Sequence, residues 1–507
     1  VQVDALAGIG KYLESYEGYG ISYEDVHDAI NEHDISSAKG KFYPTSHTGK
    51  NEKRSQFFKA SFDILDKYVL TATLRRDGTD KFFPGNKYAL FPSVSGAWKI
   101  SNENFLKNIS WINLLKLRAS WGKTGQDNLG SSLYGSYAPN NFKVNFSDNG
   151  IINIPYVSMG ANYPDVSWQK TTMKNIGLDF YLLSDRISGS FDFFRNDITR
   201  LLGYASTSPL AIYETRPING GHYYRRGWEL MVDTKNLVGE FTWDTSLTFS
   251  KTNSFWKERL PNYDYQIYQQ RENEPMSAYY YYNVTGIINT DRSNMPESQK
   301  TLQAEAQLPG CPIIEDKNKD GKIDENDVYM KDNSPAIYVG IGNTFTYKRF
   351  EFSFFMYGQF GIQKYNIAYS AAQAGPLAVD YPENSNKFAY RLWNSQTNPN
   401  GSRPGLAIGK MGALPGNAWV NADRENASFM RMRNITLAYN LAGNILGSLQ
   451  RYVRNIKVYV DAQNPFILTK FQGFDPEIYT GGGGASGGSR GEYPQTRTFS
   501  LGANITF

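Results

Sequence analysis

A two-residue alternation of apolar and polar side chains, recurring from one end of the chain to the other, constrains the fold more than any other feature. In EFTWDTSLTFS, Phe241, Trp243, Leu247 and Phe249 alternate with Glu240, Thr242, Asp244, Ser246, Thr248 and Ser250. The pattern returns in LLKLRASW (Leu115, Leu117, Ala119, Trp121), NIGLDFYL (Ile176, Leu178, Phe180, Leu182), NIKVYVDA (Ile456, Val458, Val460) and TFSLGANITF (Phe499, Leu501, Ala503, Ile505, Phe507). Successive side chains of a strand point to opposite faces, so each segment predicts a strand with one apolar and one polar face. With 15% aromatic residues and 46 glycines, the 507-residue chain reads as a large all-β protein.

Alternation alone suits a soluble sandwich as well as a membrane barrel. The connections separate the two. Brief junctions at ILDK (64–67), LLSDR (182–186), NLVGE (near 237–240) and YKRF (347–350) alternate with long excursions. The excursions run to about 13 residues (77–89), 40 (125–166), 25 (197–221), 80 (253–335), 60 (365–423) and 30 (467–495). Two links on the short side, 100–112 and 442–454, are moderate, and AGNILGSLQRYVR predicts one short amphipathic helix. Short turns on one side and long loops on the other predict a transmembrane antiparallel β-barrel wall of about 14 strands, its C-terminus on the periplasmic side. The aromatic run SAYYYYNVTGIINT (277–290) would break this parity as a wall strand, so it belongs to the excursion 253–335.

Several classes fall away. With 53 basic against 49 acidic side chains, the chain lacks the footprint of a nucleic-acid binder. The single Cys311 forms no intrachain disulfide and reads as an incidental thiol. Four histidines leave little material for acid–base chemistry, and SYEDVHDAINEHD (22–34), which holds two of them, predicts a solvated helix in a loop. No apolar run approaches the roughly 20 residues of a membrane helix. The opening VQVDALAGIG is already strand-like and carries no leader, which fits a processed or truncated chain, or one piece of a longer protein.

The stretch EDKNKDGKIDENDV (315–328) matches a twelve-residue calcium loop. Asp316, Asn318, Asp320, Asp324 and Asp327 supply side-chain oxygens at positions one, three, five, nine and twelve, Lys322 a main-chain carbonyl at seven, and Gly321 the bend at six. Asp327 stands where a sensor carries a longer bidentate Glu, and YMKDNSPAIYVG follows instead of a helix. Ca²⁺ is therefore expected as a structural ion of extracellular-type affinity, about 10⁻⁴–10⁻³ M. Two other motifs fail. WGKTG (121–125) lacks the first glycine of a phosphate loop and lies in a strand pattern, and GASGG (484–488) sits in a Gly-rich loop rather than a strand-to-helix elbow. No catalytic residue is assigned, and the chain is expected not to be an enzyme.

Six stretches carry a family likeness: KYVLTATLRRDGTDKFFPGNKYALFPSVSGAWKIS (67–101), LKLRASWGKTGQDN (115–128), WQKTTMKNIGLDFYLLSDRISGSFDFFRNDITRLL (168–202), RRGWELMVDT (225–234), VYVDAQNPFILTKFQGFDPEI (458–478) and YPQTRTFSLGANITF (493–507). Together the chain resembles the C-terminal part of a SusC/RagA-type TonB-dependent outer-membrane transporter of Bacteroidetes. That resemblance implies a 22-stranded barrel in which residues 1–507 supply about 14 strands, with the N-terminal plug and the first strands absent from this sequence. It implies a SusD-like surface lipoprotein as a lid, TonB acting through the missing plug region, membrane lipid around the wall, and an oligosaccharide or oligopeptide as cargo. A dimer of transporter–lid pairs is a further expectation. The terminal Phe507 matches the ending typical of proteins inserted by the outer-membrane assembly machinery, and serves equally as a strand residue.

Cargo contacts are sought in the aromatic and Gly-rich excursions, at Tyr279 to Tyr282, Trp393, Trp419 and the 471–495 loop, where rings can stack on sugars or pack peptide side chains. The rival reading is a secreted calcium-stabilised β-protein, an adhesin or glycan-binding module. A glycan-degrading enzyme would require a cleft with paired carboxylates.

Overall fold

The computed structural model describes residues 1–23, 41–129, 133–134, 137–139, 146–148, 151–153, 156–158, 162–207, 215–261, 265–269, 272–366, 391–405, 411–412, 414–422, 424–442, 446–447, 451–473, 475–477 and 495–507. Its dominant element is one antiparallel sheet. Fourteen strands follow one another in chain order: β1 (Gln2–Tyr23), β2 (Phe42–Ile64), β3 (Tyr68–Thr79), β4 (Tyr88–Lys99), β5 (Ile112–Gln126), β6 (Gln169–Leu182), β7 (Ile187–Ser206), β8 (Thr215–Leu237), β9 (Phe241–Glu258), β10 (Ile337–Tyr347), β11 (Phe350–Phe360), β12 (Phe429–Ala442), β13 (Asn455–Gln463) and β14 (Thr498–Thr506). A short strand, Ile467–Thr469, pairs beside β12 off this path. β1 and β14 are not neighbours, so the sheet is an open wall rather than a closed barrel.

Register explains why the wall has two chemically distinct faces. Leu117 pairs with Leu178, which pairs with Phe191, which pairs with Leu230, and that residue with Phe249, so one apolar row crosses five strands. At the other end of the wall, Phe352, Leu437, Val460 and Leu501 form a second such row. Leu70, Leu117, Phe191, Leu437, Val460 and Leu501 are exposed despite their apolar character. A row of this kind suits contact with lipid acyl chains. The opposite face is polar and laced with ion pairs. Arg118 on β5 bonds Asp179 on β6 at 2.7 Å and reaches Asp192 on β7 at 3.0 Å, while Lys457 on β13 spans β12 to Glu351 on β11 at 2.8 Å.

The connections alternate as the periodicity predicts. Leu65 and Asp66 take φ values of 58° and 55° in the β2–β3 turn, closed by Lys67 N–H donating to Ile64 C=O at 3.0 Å. Two successive positive-φ residues fit the right-handed twist of the flanking strands, the geometry of a type I′ hairpin. Aromatic side chains gather near the short turns: Tyr68 stacks with Trp98 and Trp243 with Phe345, and Phe350 meets Tyr439 edge-on at 4.7 Å. Such rings suit the polar–apolar boundary of a bilayer, apolar in body and polar at the rim.

Two expectations change in extent. The 197–221 excursion shrinks to 207–214, because β7 and β8 remain paired to Ser206 and Thr215. Arg200 and Gly221 face each other at φ values of 55° and 73° between the pairs Thr199–His222 and Leu201–Gly220, and the register is unchanged across them, so the strands continue. The 77–89 excursion likewise narrows to 80–87. Residues 443–445 and 448–450 of the helix expected in 442–454 and all but the start of the one expected in 22–34 lie outside the described residues, as does GASGG. WGKTG lies within β5 as strand, and among the described residues no helix follows it to cradle a phosphate.

Candidate functional site

The connection between β9 and β10, residues 259–336, is not a bare loop; its described residues are built around a hydrophobic core. Tyr268, Tyr282, Ile288, Leu302, Cys311, Ile313, Ile314, Ile323 and Val328 are buried together with Met411, Leu414 and Ala418 from the β11–β12 connection. Two distant excursions thus share one core, which fixes their relative positions at the long-connection end of the wall. Cys311 is fully buried in it, and burial pushes its thiol up to about 11.

The acidic loop closes one side of this core. Ile323, between Lys322 and Asp324, points inward, and its N–H donates to Thr301 Oγ1 at 3.1 Å. Lys319 and Gly321 take φ values of 61° and 87°, which bend the chain back on itself. Gly321 N–H then donates to Asp316 Oδ2 at 2.9 Å. Asp320 N–H donates to Asn318 Oδ1, and Lys322 N–H to Asp320 Oδ1, each at 3.1 Å. Asp327, fully buried, accepts from the N–H groups of Lys317, Asn318 and Asp324.

These contacts give a mixed answer on the fit to a cation. Asp316 Oδ1 is buried without a hydrogen-bond partner, and an orphaned carboxylate oxygen suits a hard divalent ion. Lys322 Nζ, 2.7 Å from Asp324 Oδ2, balances part of the charge in its place and holds that carboxyl below its ordinary range. Among the described residues no three Asp, Glu, His or Cys side chains already converge as a metal cluster, because the carboxylates are drawn to backbone N–H groups. The donor set, with one amide and one main-chain carbonyl among its members, is the set a calcium loop uses.

The tyrosine run divides by the pleat of its strand. Ala278–Tyr282 pairs antiparallel with Tyr329–Asp332 and parallel with Trp419–Val420, outside the wall. Tyr282 is fully buried, its hydroxyl donating to the carbonyls of Asp324 and Pro415 at 3.0 Å each. Tyr280 turns the same way, packs on Tyr268 at 5.0 Å and donates to the buried carboxylate of Glu274, which Arg259 also engages. Burial raises both hydroxyls well above the ordinary tyrosine range. Tyr282 belongs to the core and is closed to any ligand, and Tyr280, partly buried, packs against that core. Tyr279 and Tyr281 occupy the other face, 5.2 Å apart, and Tyr281 stacks on Tyr329 at 5.7 Å.

Arg424 caps this stripe. It lies in Arg424–Asn426, which pairs with Gln363–Tyr365, and its guanidinium sits 3.6 Å from the centre of the Tyr279 ring. Tyr279 in turn donates from its hydroxyl to Gln363. Burial holds Arg424 below the ordinary arginine range. At the other end Lys317, from the acidic loop, lies 4.6 Å from the Tyr329 ring centre. No motif marked Arg424, since a single Arg in a loop carries no spacing signal.

The remaining sequence candidates are less suited to ligand contact. The Trp393 ring packs against the backbone of Gly310, where φ is 89° and a Cβ would stand 2.8 Å from the ring, so it is wedged between loop segments. The backbone of Trp419 pairs with Tyr281. In the 471–495 loop only 471–473, 475–477 and 495 are described.

The sequence profile of the family described as TonB dependent receptor-like, beta-barrel matches residues 3–464. The chain is 28% identical over 484 residues to TonB-dependent receptor P3 of Formosa agariphila, covering 92% of this chain and 46% of that protein. It is 29% identical over 475 residues to TonB-dependent receptor SusC of Bacteroides thetaiotaomicron, covering 91% of this chain and 44% of that protein. The chain thus spans about half the length of the curated relatives it matches. Among solved structures, the RagAB peptide transporter superposes with a TM-score of 0.77 at 21% identity, covering all of this chain and 53% of that one, a likeness of fold.

Proposed function

The chain belongs to the TonB-dependent receptor-like β-barrel family, whose members are outer-membrane proteins, and on that premise we propose that it forms wall and outer loops of an importer of oligomers too large for porins. The observation that carries this reading is the open wall itself, apolar along one face and ion-paired along the other. An open edge leaves N–H and C=O groups unpaired, which the hydrocarbon core does not tolerate. Further strands of the same protein therefore complete the barrel, and its N-terminal plug fills the lumen. A SusD-like lipoprotein covers the long-connection end as a lid, and TonB acts through the plug.

The cargo is an oligosaccharide or oligopeptide held between lid, plug and the outer loops. Ca²⁺, held by Asp316, Asn318, Asp320, Asp324, Asp327 and the Lys322 carbonyl, stabilises the excursion between β9 and β10 and so keeps Lys317 against Tyr329. The orphaned Asp316 Oδ1 supports that assignment. Exposed apolar rows along the wall argue against the secreted, water-facing alternative.

Uptake by cells that carry the complete protein tests the reading, with labelled oligosaccharide and oligopeptide pools supplied in turn. Import of at least one pool should disappear on deleting either this transporter or TonB. Uptake indifferent to both deletions, or a complete protein that stays monodisperse without detergent, would overturn it.

A further inference from the structure

We propose that Arg424, on its tyrosine stripe, is a subsite that takes a carboxylate of the cargo; this rests on the importer reading above. Three features lead to it. Arg424 is partly buried, yet among the described residues its guanidinium has no ion pair and no side-chain hydrogen bond, only the face of Tyr279 at 3.6 Å and the nearby Tyr365 across the strand pair. Two other arginines withdrawn from water have acids, Arg431 holding Asp475 and Arg403 holding Glu425, whereas among the described residues Arg349 on the short-turn side has none. A desolvated cation without an acid is costly unless a ligand completes it.

Second, stacking occupies only the face of the guanidinium. Its N–H groups lie in the plane and form a fork matched to the two oxygens of a carboxylate. Third, the surroundings supply contact without competing charge. Glu425, adjacent in sequence, falls on the opposite face of its strand, where Lys364 stands across from it, and engages Arg403. Asp332 is bonded to Ser277 and Asn253. The carboxylate bonded to Tyr329, that of Glu315, is at the far end of the stripe. Lys331, opposite Tyr279 in register and exposed, adds attraction for an anion. One buried guanidinium matches a monoanion, and the rings of Tyr279 and Tyr281 offer a platform for the residue or sugar that carries it.

A carboxylate can come from a peptide terminus or from a uronic acid. The test uses the complete transporter in detergent and calorimetric binding of four probes: a neutral hexapeptide with a free C-terminus, the same peptide amidated, an oligogalacturonate and its methyl ester. The wild type should bind the free acid of at least one pair about tenfold or more tightly than its capped form. Arg424→Gln should abolish that preference, weakening the free acid about tenfold more than its capped form, and Arg424→Lys should restore part of it. A preference in the peptide pair alone assigns a terminal carboxylate, and in the uronide pair alone a sugar acid. Equal binding of free and capped probes, or a preference that survives Arg424→Gln, overturns the subsite and leaves the importer standing. If no probe binds and cells import none, the importer reading falls, and the subsite with it.

Discussion

Nη2 of Arg431, on β12, donates to both carboxylate oxygens of Asp475, at 2.7 and 2.8 Å, and both side chains are almost wholly buried. Glu477 accepts from Nε of the same arginine and from the hydroxyl of Tyr357 on β11, and Asp475 accepts in addition from the N–H of Gln495. The base of the β13–β14 connection is therefore clamped to two wall strands. Arg431→Met should leave the two acids with no hydrogen-bonded counter-charge, only the more distant Lys364, and destabilise the protein by about 3–5 kcal/mol. Hydrogen exchange should rise at 471–477 and little elsewhere; unchanged protection there would show that the clamp does not hold the loop.

Calcium should act on the β9–β10 excursion through Asp316 and Asp320. If the loop binds the ion, titrating Ca²⁺ to about ten times its Kd should stabilise the protein by about 1.4 kcal/mol, read as a rise in thermal midpoint. Asp316→Asn with Asp320→Asn should remove the rise. A midpoint indifferent to both calcium and chelator would exclude a bound ion.

The two faces of the wall should respond differently to the same substitution. Leu117→Lys places a charge in an apolar row and should cost about 2–4 kcal/mol near the bilayer midplane. Ser120→Lys falls on the polar face, opposite Asn175 and Ser95, and should stay within about 0.5 kcal/mol. Urea unfolding of the complete protein in lipid bilayers measures both, and equal losses would contradict the assignment of faces.

Cys311 should resist alkylation in the folded protein. Burial lifts its thiol from an ordinary 9.0 to about 11, so at pH 8 neither access nor thiolate is available. A pKa raised in the folded state means its contribution to stability is complete below about pH 9 and is lost as pH climbs towards 11. Maleimide labelling at pH 8 should proceed only after denaturation; rapid labelling of the native protein would show that the shared core opens.

Much of the wall was legible in the sequence because strand periodicity is local. Leu115, Leu117 and Ala119 declare a face by spacing alone, and the short junction at 64–67 declares a hairpin by its length. The register then had little freedom, since a slip of one residue would turn Leu117 away from Leu178 and towards the ion-paired face. The outer ends of β7 and β8 were hidden because Ile198, Leu201 and Leu202 do not alternate around Arg200, while cross-strand pairing continues in one register.

The candidate site was legible only in outline. The sequence itself determined the acidic loop's donors and the presence of four consecutive tyrosines, because both are matters of adjacency. Only the tertiary structure decided that Tyr280 and Tyr282 serve a core while Tyr279 and Tyr281 face away from it, and that Arg424 lies on Tyr279. That choice depends on which excursion packs on which face of a small sheet, and its partners, Tyr329, Pro415 and Arg424, come from segments far apart in the chain. Burial of apolar surface brings those segments together, and no spacing within any one of them encodes the result.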